Sequence, residues 1–137
     1  MKQYVLDACA LLSLLLNENG QEKVSSILGE AINGKAVVCM HGANLLEVYY
    51  DRYKVLGKEQ AEEMMRQIKQ LPISMRMNIS DGLFAEAGRL KATYRISLGD
   101  AFALSLASIC GGTLLTCDHH EFDAVDKTEK IKFLWIR

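Results

Sequence analysis

Four carboxylates stand alone in otherwise uncharged stretches of this 137-residue chain. Between Gln3 and Asn17 the only charged residue is Asp7; between Ala36 and Tyr50 it is Glu47. Between Ile96 and Cys117 it is Asp100, and Asp118 follows at once. Charged residues make up 24% of the chain, so these runs are depleted, and none of them holds a lysine or arginine to neutralise its acid. A buried, unpaired carboxylate costs several kcal/mol, which protonation, an arginine partner or a metal ion relieves. Two carboxylates ~4 Å apart repel by about 4 kcal/mol at an effective dielectric of 20, against a net stability of only ~5–15 kcal/mol. If the four converge, either some are protonated or a divalent cation sits among them. Oxygen-only ligands favour Mg²⁺ or Mn²⁺ over zinc. An ion held by a few carboxylates keeps open positions, which suits polarising a phosphate and supplying a hydroxide nucleophile. Each acid also has a plainer role open to it. Asp7 could cap a helix, Asp100 could favour a helix dipole, Glu47 could be exposed and Asp118 could start an Asx turn.

Hydrophobic spacing supplies the elements that would position these acids. Tyr4–Leu6, Ala36–Met40 and Thr113–Thr116 read as short buried strands, Ile131–Ile136 as a final strand, and the alternating Ile73–Asn78 as an edge strand. Helical spacing predicts helices over Ala8–Leu16, Gln21–Ile32, Ala43–Leu56 and Lys58–Leu71. In the third of these, Leu45, Leu46, Tyr49, Tyr50 and Tyr53 form the apolar side. Ser80-Asp81 caps a further helix carrying Leu83, Phe84, Ala87, Leu90 and Tyr94, Ser97 starts one that runs to Cys110, and His119–Val125 is a short loop or helix. Strands that alternate with helices and are continuously apolar imply a three-layer α/β/α fold around a mainly parallel sheet, one domain over residues 1–137. In such sheets ligands bind beyond the carboxyl ends of the strands. Asp7 and Asp118 fall at those ends, Asp100 at a helix start on the same side, and Glu47 two turns into a helix that follows a strand.

Sixteen basic residues against 17 acidic ones, and a pI of 6.3, exclude a strongly basic nucleic-acid coat protein, a polyacidic tail and a disordered chain. The N-terminus does not read as a signal peptide, and the apolar stretches Ala8–Leu16 and Ala101–Cys110 fall short of the ~20 residues that span a bilayer, so a cytoplasmic protein with no membrane association is expected. Cys9, Cys39, Cys110 and Cys117 form no CxxC pair and read as free packed thiols of a reducing compartment. Cys117, His119 and His120 have poor spacing for zinc, and His41, His119 and His120 read as structural or surface residues.

Tyr4-Val5-Leu6-Asp7-Ala8, Asn44-Leu45-Leu46-Glu47-Val48, Leu98-Gly99-Asp100-Ala101 and Leu115-Thr116-Cys117-Asp118 together resemble the motifs of the PIN-domain ribonucleases, above all the VapC-type toxins of bacterial toxin–antitoxin pairs. The resemblance covers nearly the whole chain. It implies a metal-dependent endoribonuclease whose acidic quartet falls on Asp7, Glu47, Asp100 and Asp118, with Thr116 as the hydroxyl residue supporting the pocket. It further implies one or two Mg²⁺ or Mn²⁺ ions, an RNA substrate, a homodimer and an antitoxin whose tail crosses the pocket. Asp123 is a secondary candidate in the acidic loop after Asp118.

RNA affinity comes largely from cations on phosphates, and here they are scattered. Arg52 and Lys54 share one helix, while Arg89, Lys91 and Arg95 share another and could form a rim patch or simply a solvated face. Met64, Met65, Met75 and Met77 could serve a dimer surface, an antitoxin groove or the core. The rival from another class is a non-catalytic PIN-like module for RNA or protein contact, disfavoured by the complete quartet. A phospho-acceptor receiver domain would want a lysine at the end of a late strand, where Ile131–Ile136 has only Lys132 near its start.

Overall fold

A computed structural model describes residues 1–137. The elements run β1 (Lys2–Leu6), α1 (Ala8–Leu15), α2 (Gln21–Ile32), β2 (Ala36–His41), α3 (Gly42–Leu56), α4 (Lys58–Lys69), β3 (Ser74–Arg76), α5 (Asp81–Thr93), α6 (Leu98–Cys110), β4 (Thr113–Thr116), α7 (His119–Thr128) and β5 (Lys132–Trp135). The sheet is parallel throughout, in the order β3-β2-β1-β4-β5. Residues 73–78, expected as an edge strand, do lie at the edge, but only Ser74–Arg76 pair with β2. The short loop or helix expected at 119–125 is a ten-residue helix, α7, ending at Thr128.

Alternation along each strand builds two cores, one on either face. Tyr4, Leu6, Val38, Met40 and Leu115 face one way and pack with Leu11, Val24, Ile27, Leu28, Val48 and Ile68 of α1–α4. Val5, Cys39 and Leu114 face the other way and pack with α5, α6 and α7 through Leu83, Leu90, Leu104 and Phe122. With both faces covered, the strands carry no polar side, which is why they read as continuous apolar runs.

Two helix faces depart from the expected pattern. On α3 the buried residues are Asn44 and Val48, while Leu46 is 57% exposed and Tyr50 and Tyr53 also face solvent. On α5 Phe84 is 73% exposed although its neighbours Leu83, Ala87 and Leu90 are buried. Met64, Met65 and Met75 pack against the first core, and Met77 is exposed.

The strand order fixes where a ligand can enter. From β1 the chain moves outward through β2 to β3, then returns to the other side of β1 to lay down β4 and β5. The order therefore reverses between β1 and β4, and the connections leaving these two strands diverge to opposite faces. A crevice at the carboxyl ends of the strands opens at such a point. Leu6 pairs in register with Leu115, so the residues that follow, Asp7 and Thr116, begin the two walls of this crevice.

Candidate active site

Asp7 ends β1 and begins α1. It is 4% exposed, and its Oδ1 accepts the Ala10 N–H at 2.8 Å, capping the helix. Burial pushes its carboxyl up to about 7. Hydrogen bonds from the Thr116 hydroxyl and the Ala10 backbone pull it back down, while the charges of Asp100 and Asp118 raise it further. Thr116, the last residue of β4, is fully buried, and its Oγ1 also accepts the Asp118 N–H at 3.1 Å. One hydroxyl thus links the residues that close the two adjacent strands.

Asp118 caps α7 through Oδ1, which accepts the Glu121 N–H at 3.2 Å. Asp100 belongs to a capping box at the start of α6: its backbone N–H donates to Ser97 Oγ at 3.1 Å, and its own carboxylate accepts the Ser97 N–H at 3.4 Å. Burial is the main cause raising the Asp100 pKa, with the charges of Asp118 and Glu121 adding to it. Glu47 is half-buried on α3, and its pKa is raised by burial and by Asp100, then eased by a hydrogen bond from Asn44. Asn44 Nδ2 donates to Glu47 Oε1 at 3.2 Å and to the Gly99 carbonyl at 2.9 Å, tying α3 to the first turn of α6.

The electrostatic couplings join Asp7, Asp118 and Asp100, then Asp100 and Glu47, into one acidic group. No lysine or arginine enters the balance at Asp7, Glu47 or Asp100. The plainer roles read from the sequence are real as well, because Asp7, Asp100 and Asp118 each start a helix. Capping uses backbone N–H groups, which oppose only part of the cost of burying the charge.

Glu121 joins the group through its effect on Asp100, and sequence reading missed it. Its signal was the spacing Asp118-x-x-Glu121, an acid three residues into a capped helix. Asn44 was missed too, although it stands one helical turn before Glu47. The secondary candidate Asp123 turns outward, 58% exposed and 3.6 Å from His119 Nδ1. His119 stacks on Trp135 with ring centroids 4.0 Å apart. His41 is buried, caps α3 by accepting the Ala43 N–H, and stacks on Phe102. Neither of these two histidines takes part in the acidic group. Arg89 is committed to Glu86 and Glu129 and Arg52 to Asp51, so neither is a free phosphate contact. The expectation of four separate thiols needs correction: the Cys9 and Cys117 sulfurs lie against one another with their Cα atoms 6.2 Å apart, leaving Cys39 and Cys110 as the isolated thiols. Their separation of 108 residues gave no clue in the sequence; it is the pairing of β1 with β4 that brings them together.

Two features test whether a divalent ion suits these residues. The acids all offer oxygen ligands, and Asp7, Glu47 and Asp100 are raised by burial and like charge with no base to neutralise them. Beside Glu47, Asn44 Oδ1 is a buried acceptor without a hydrogen-bond partner. Both fit a hard cation carrying bound water. As the side chains stand, no three of the His, Cys, Asp and Glu residues form a ready-made cluster around a single ion. No helix is long and apolar enough to cross a membrane.

The family model for the PIN domain matches residues 4–128. No curated protein sequence matches the chain. Among solved structures it is similar to VapBC2 from Rickettsia felis bound to a DNA fragment from their promoter, with 18% identity, a TM-score of 0.73, and 96% of this chain and 97% of that chain covered. It is similar to DNA-bound VapBC from Salmonella typhimurium, at 14% identity and a TM-score of 0.73 over 100% of both chains. It is also similar to VapC20 from Mycobacterium tuberculosis, described as a sarcin-ricin loop cleaving toxin, at 13% identity and a TM-score of 0.68 over 89% of this chain and 94% of that chain. At such identities the likeness to these structures is one of fold. The family match runs from within β1 to the end of α7 and includes all four isolated acids, and on that match the chain belongs to the PIN domain family.

Proposed function

We propose that this protein is a divalent-metal-dependent endoribonuclease, the toxin of a toxin–antitoxin pair. The observation that carries the reading is the chain of like-charge couplings that links Asp7 to Asp100 and Asp118, and Glu47 to Asp100, with no lysine or arginine among them, where Asp7 begins one wall of the crevice at which the sheet order reverses. Asp7, Glu47, Asp100 and Asp118 are the residues that would hold one or two Mg²⁺ or Mn²⁺ ions. Such an ion, when bound, supplies charge neutralisation at a phosphodiester and acidifies the attacking water.

The remaining work falls to the chain. Thr116 fixes the Asp7 carboxylate and the Asp118 backbone relative to one another. Asn44 holds Glu47 towards α6. Glu121 adds a further negative charge that acts on Asp100. No side-chain nucleophile is needed. Phosphate contacts would come from cations that are not already paired, Lys91 and Arg95 among them, both exposed near the start of α6. A homodimer gathers more such charge than one subunit carries. An antitoxin partner, whose basic or polar tail would lie across the acids, is supported by the likeness in fold to VapBC complexes.

The test uses purified protein on structured and single-stranded RNA, with Mn²⁺ titrated by calorimetry. Cleavage that needs Mn²⁺ or Mg²⁺, stops with EDTA and is lost in Asp7→Asn is the expected result. Cleavage that survives both treatments refutes the metal assignment. A protein that binds neither ion and cuts no RNA would instead be a non-catalytic PIN-like binding module.

A further inference from the structure

Cys9 and Cys117 lie across the crevice from one another at its base. Cys9 is two residues beyond Asp7, in the first turn of α1, and Cys117 directly precedes Asp118. β1 and β4 are neighbours in the sheet, so the two cysteines follow adjacent, in-register strand ends. Their Cα atoms are 6.2 Å apart, inside the range of about 4.4–6.8 Å that a disulfide spans without moving the backbone. Both residues are partly exposed, so small reagents reach them. The other two thiols are placed differently. Cys39 is fully buried, and Cys110 sits at the opposite end of the sheet, before β4, where burial holds its thiol in the protonated form.

We propose that Cys9 and Cys117 form a reversible oxidation site that ties the Asp7 wall of the acidic crevice to the Asp118 wall. Oxidised, the pair would hold the start of α1 against the start of α7; reduced, the two walls would be joined only by Thr116 and the strand ladder. The meaning of this link for ion binding rests on the function proposed above, whereas the link itself does not. Acids that repel one another settle further apart when they are free to move. A covalent tie beside two of them limits that spreading and leaves less rearrangement for an ion to bring about, so the oxidised form is the tighter binder.

The oxidant is a small neutral disulfide, since the surrounding carboxylates would repel an anionic one. One cysteine thiolate attacks a sulfur of the reagent, breaking its S–S bond and releasing one thiolate. The second cysteine attacks the mixed disulfide, forms the Cys9–Cys117 bond and releases the other thiolate. The two protons lost by the cysteines end on the two released thiols, so two protein thiols and one disulfide give one protein disulfide and two small thiols.

The experiment equilibrates the whole chain with 2-hydroxyethyl disulfide or with dithiothreitol. It then measures thiol content, cross-linked peptides by mass spectrometry, thermal melting, amide hydrogen exchange and Mn²⁺ affinity by calorimetry. Expected are loss of two of the four thiols, a Cys9–Cys117 peptide, and a Tm raised by upwards of about 5 °C, because the bond closes a loop of over 100 residues. Exchange should slow in the first turns of α1 and α7, and Mn²⁺ should bind several-fold more tightly. Cys9→Ser and Cys117→Ser should each abolish the redox response while melting near the reduced wild type. Failure to form the Cys9–Cys117 peptide, or a cross-linked protein with unchanged melting and exchange, overturns the proposal. Absence of Mn²⁺ binding in both redox states counts against the metal-dependent function, and melting and exchange then judge the cross-link alone.

Discussion

The Glu47 carboxylate lies against Gly99 so closely that a Cβ added there would run into Glu47 Oε1 and stand 2.6 Å from its Cδ. Asn44 binds both residues, one through its carboxylate and the other through its carbonyl. α3 and α6 therefore meet over a bare patch of backbone, and the residue after that patch is Asp100. The missing side chain of Gly99 leaves the room that the Glu47 carboxylate occupies beside the residue preceding Asp100.

Gly99→Ala should accordingly harm the site while helping the helix. Alanine in a first turn ordinarily favours a helix by up to about 1 kcal/mol over glycine. Here the methyl group must displace Glu47 from α6. We expect unchanged helix content by circular dichroism and a fall in Mn²⁺ affinity of about tenfold or more, read by calorimetry. Full affinity in Gly99→Ala would show that Glu47 need not sit where it does.

Asn44→Ala removes both donors from a side chain that is 1% exposed. It also removes an acceptor that has no partner, which offsets part of the loss. A decrease of about 1 kcal/mol in unfolding free energy, measured in urea, is expected. Because Asn44 lowers the Glu47 pKa, that pKa should rise in the variant, as carboxyl NMR would detect.

The raised acids set the pH dependence of the ion-free protein. Asp7 titrates near 7 when folded and near 3.8 as an unperturbed side chain, so the folded state holds its proton over that interval and the unfolded state does not. The stability this gives is fully present below pH 3.8 and is lost as pH rises through 7. It amounts to about 4 kcal/mol across the interval. Glu47 and Asp100 act in the same direction. In EDTA, melting temperatures should therefore fall between pH 5 and pH 8. Saturating Mn²⁺ should restore most of the loss and release protons near neutral pH, an effect seen as buffer-dependent binding heats.

Asp7→Asn should raise the Tm of the EDTA-treated protein at pH 8. The amide keeps an oxygen for the Ala10 N–H and removes a buried charge. The same variant should show no melting shift on adding Mn²⁺. A lower Tm in EDTA would mean that the carboxylate, and not only its hydrogen bonds, supports the fold.

Much of this was legible because burial and charge leave opposite marks on a sequence. Strands covered on both faces must be apolar, so Asp7, Asp100 and Asp118 stood out at or just beyond the ends of uncharged elements. Glu47 stood out for the same reason, but the face of α3 that carries it did not: Leu46, Tyr50 and Tyr53 are apolar by type yet point to solvent, so hydrophobic spacing indicated the wrong side. Glu121 was hidden in the charge-rich segment His119–Glu129, where one more acid carries no signal. Cys9 and Cys117 meet only through the pairing of β1 with β4, a contact that spacing along the chain does not encode.

Asp7 and Asp118 each accept a backbone N–H from the opening turn of the helix they precede, and Asp100 completes the box that opens its own. Truncating any of them to alanine would remove a proposed ligand and fray a helix in the same stroke, so an inactive alanine variant could not tell a missing ion from a slackened backbone. Asparagine and serine keep the turn and discard the charge. Only replacements of that kind can separate chemistry from architecture in a molecule where the same oxygens serve both.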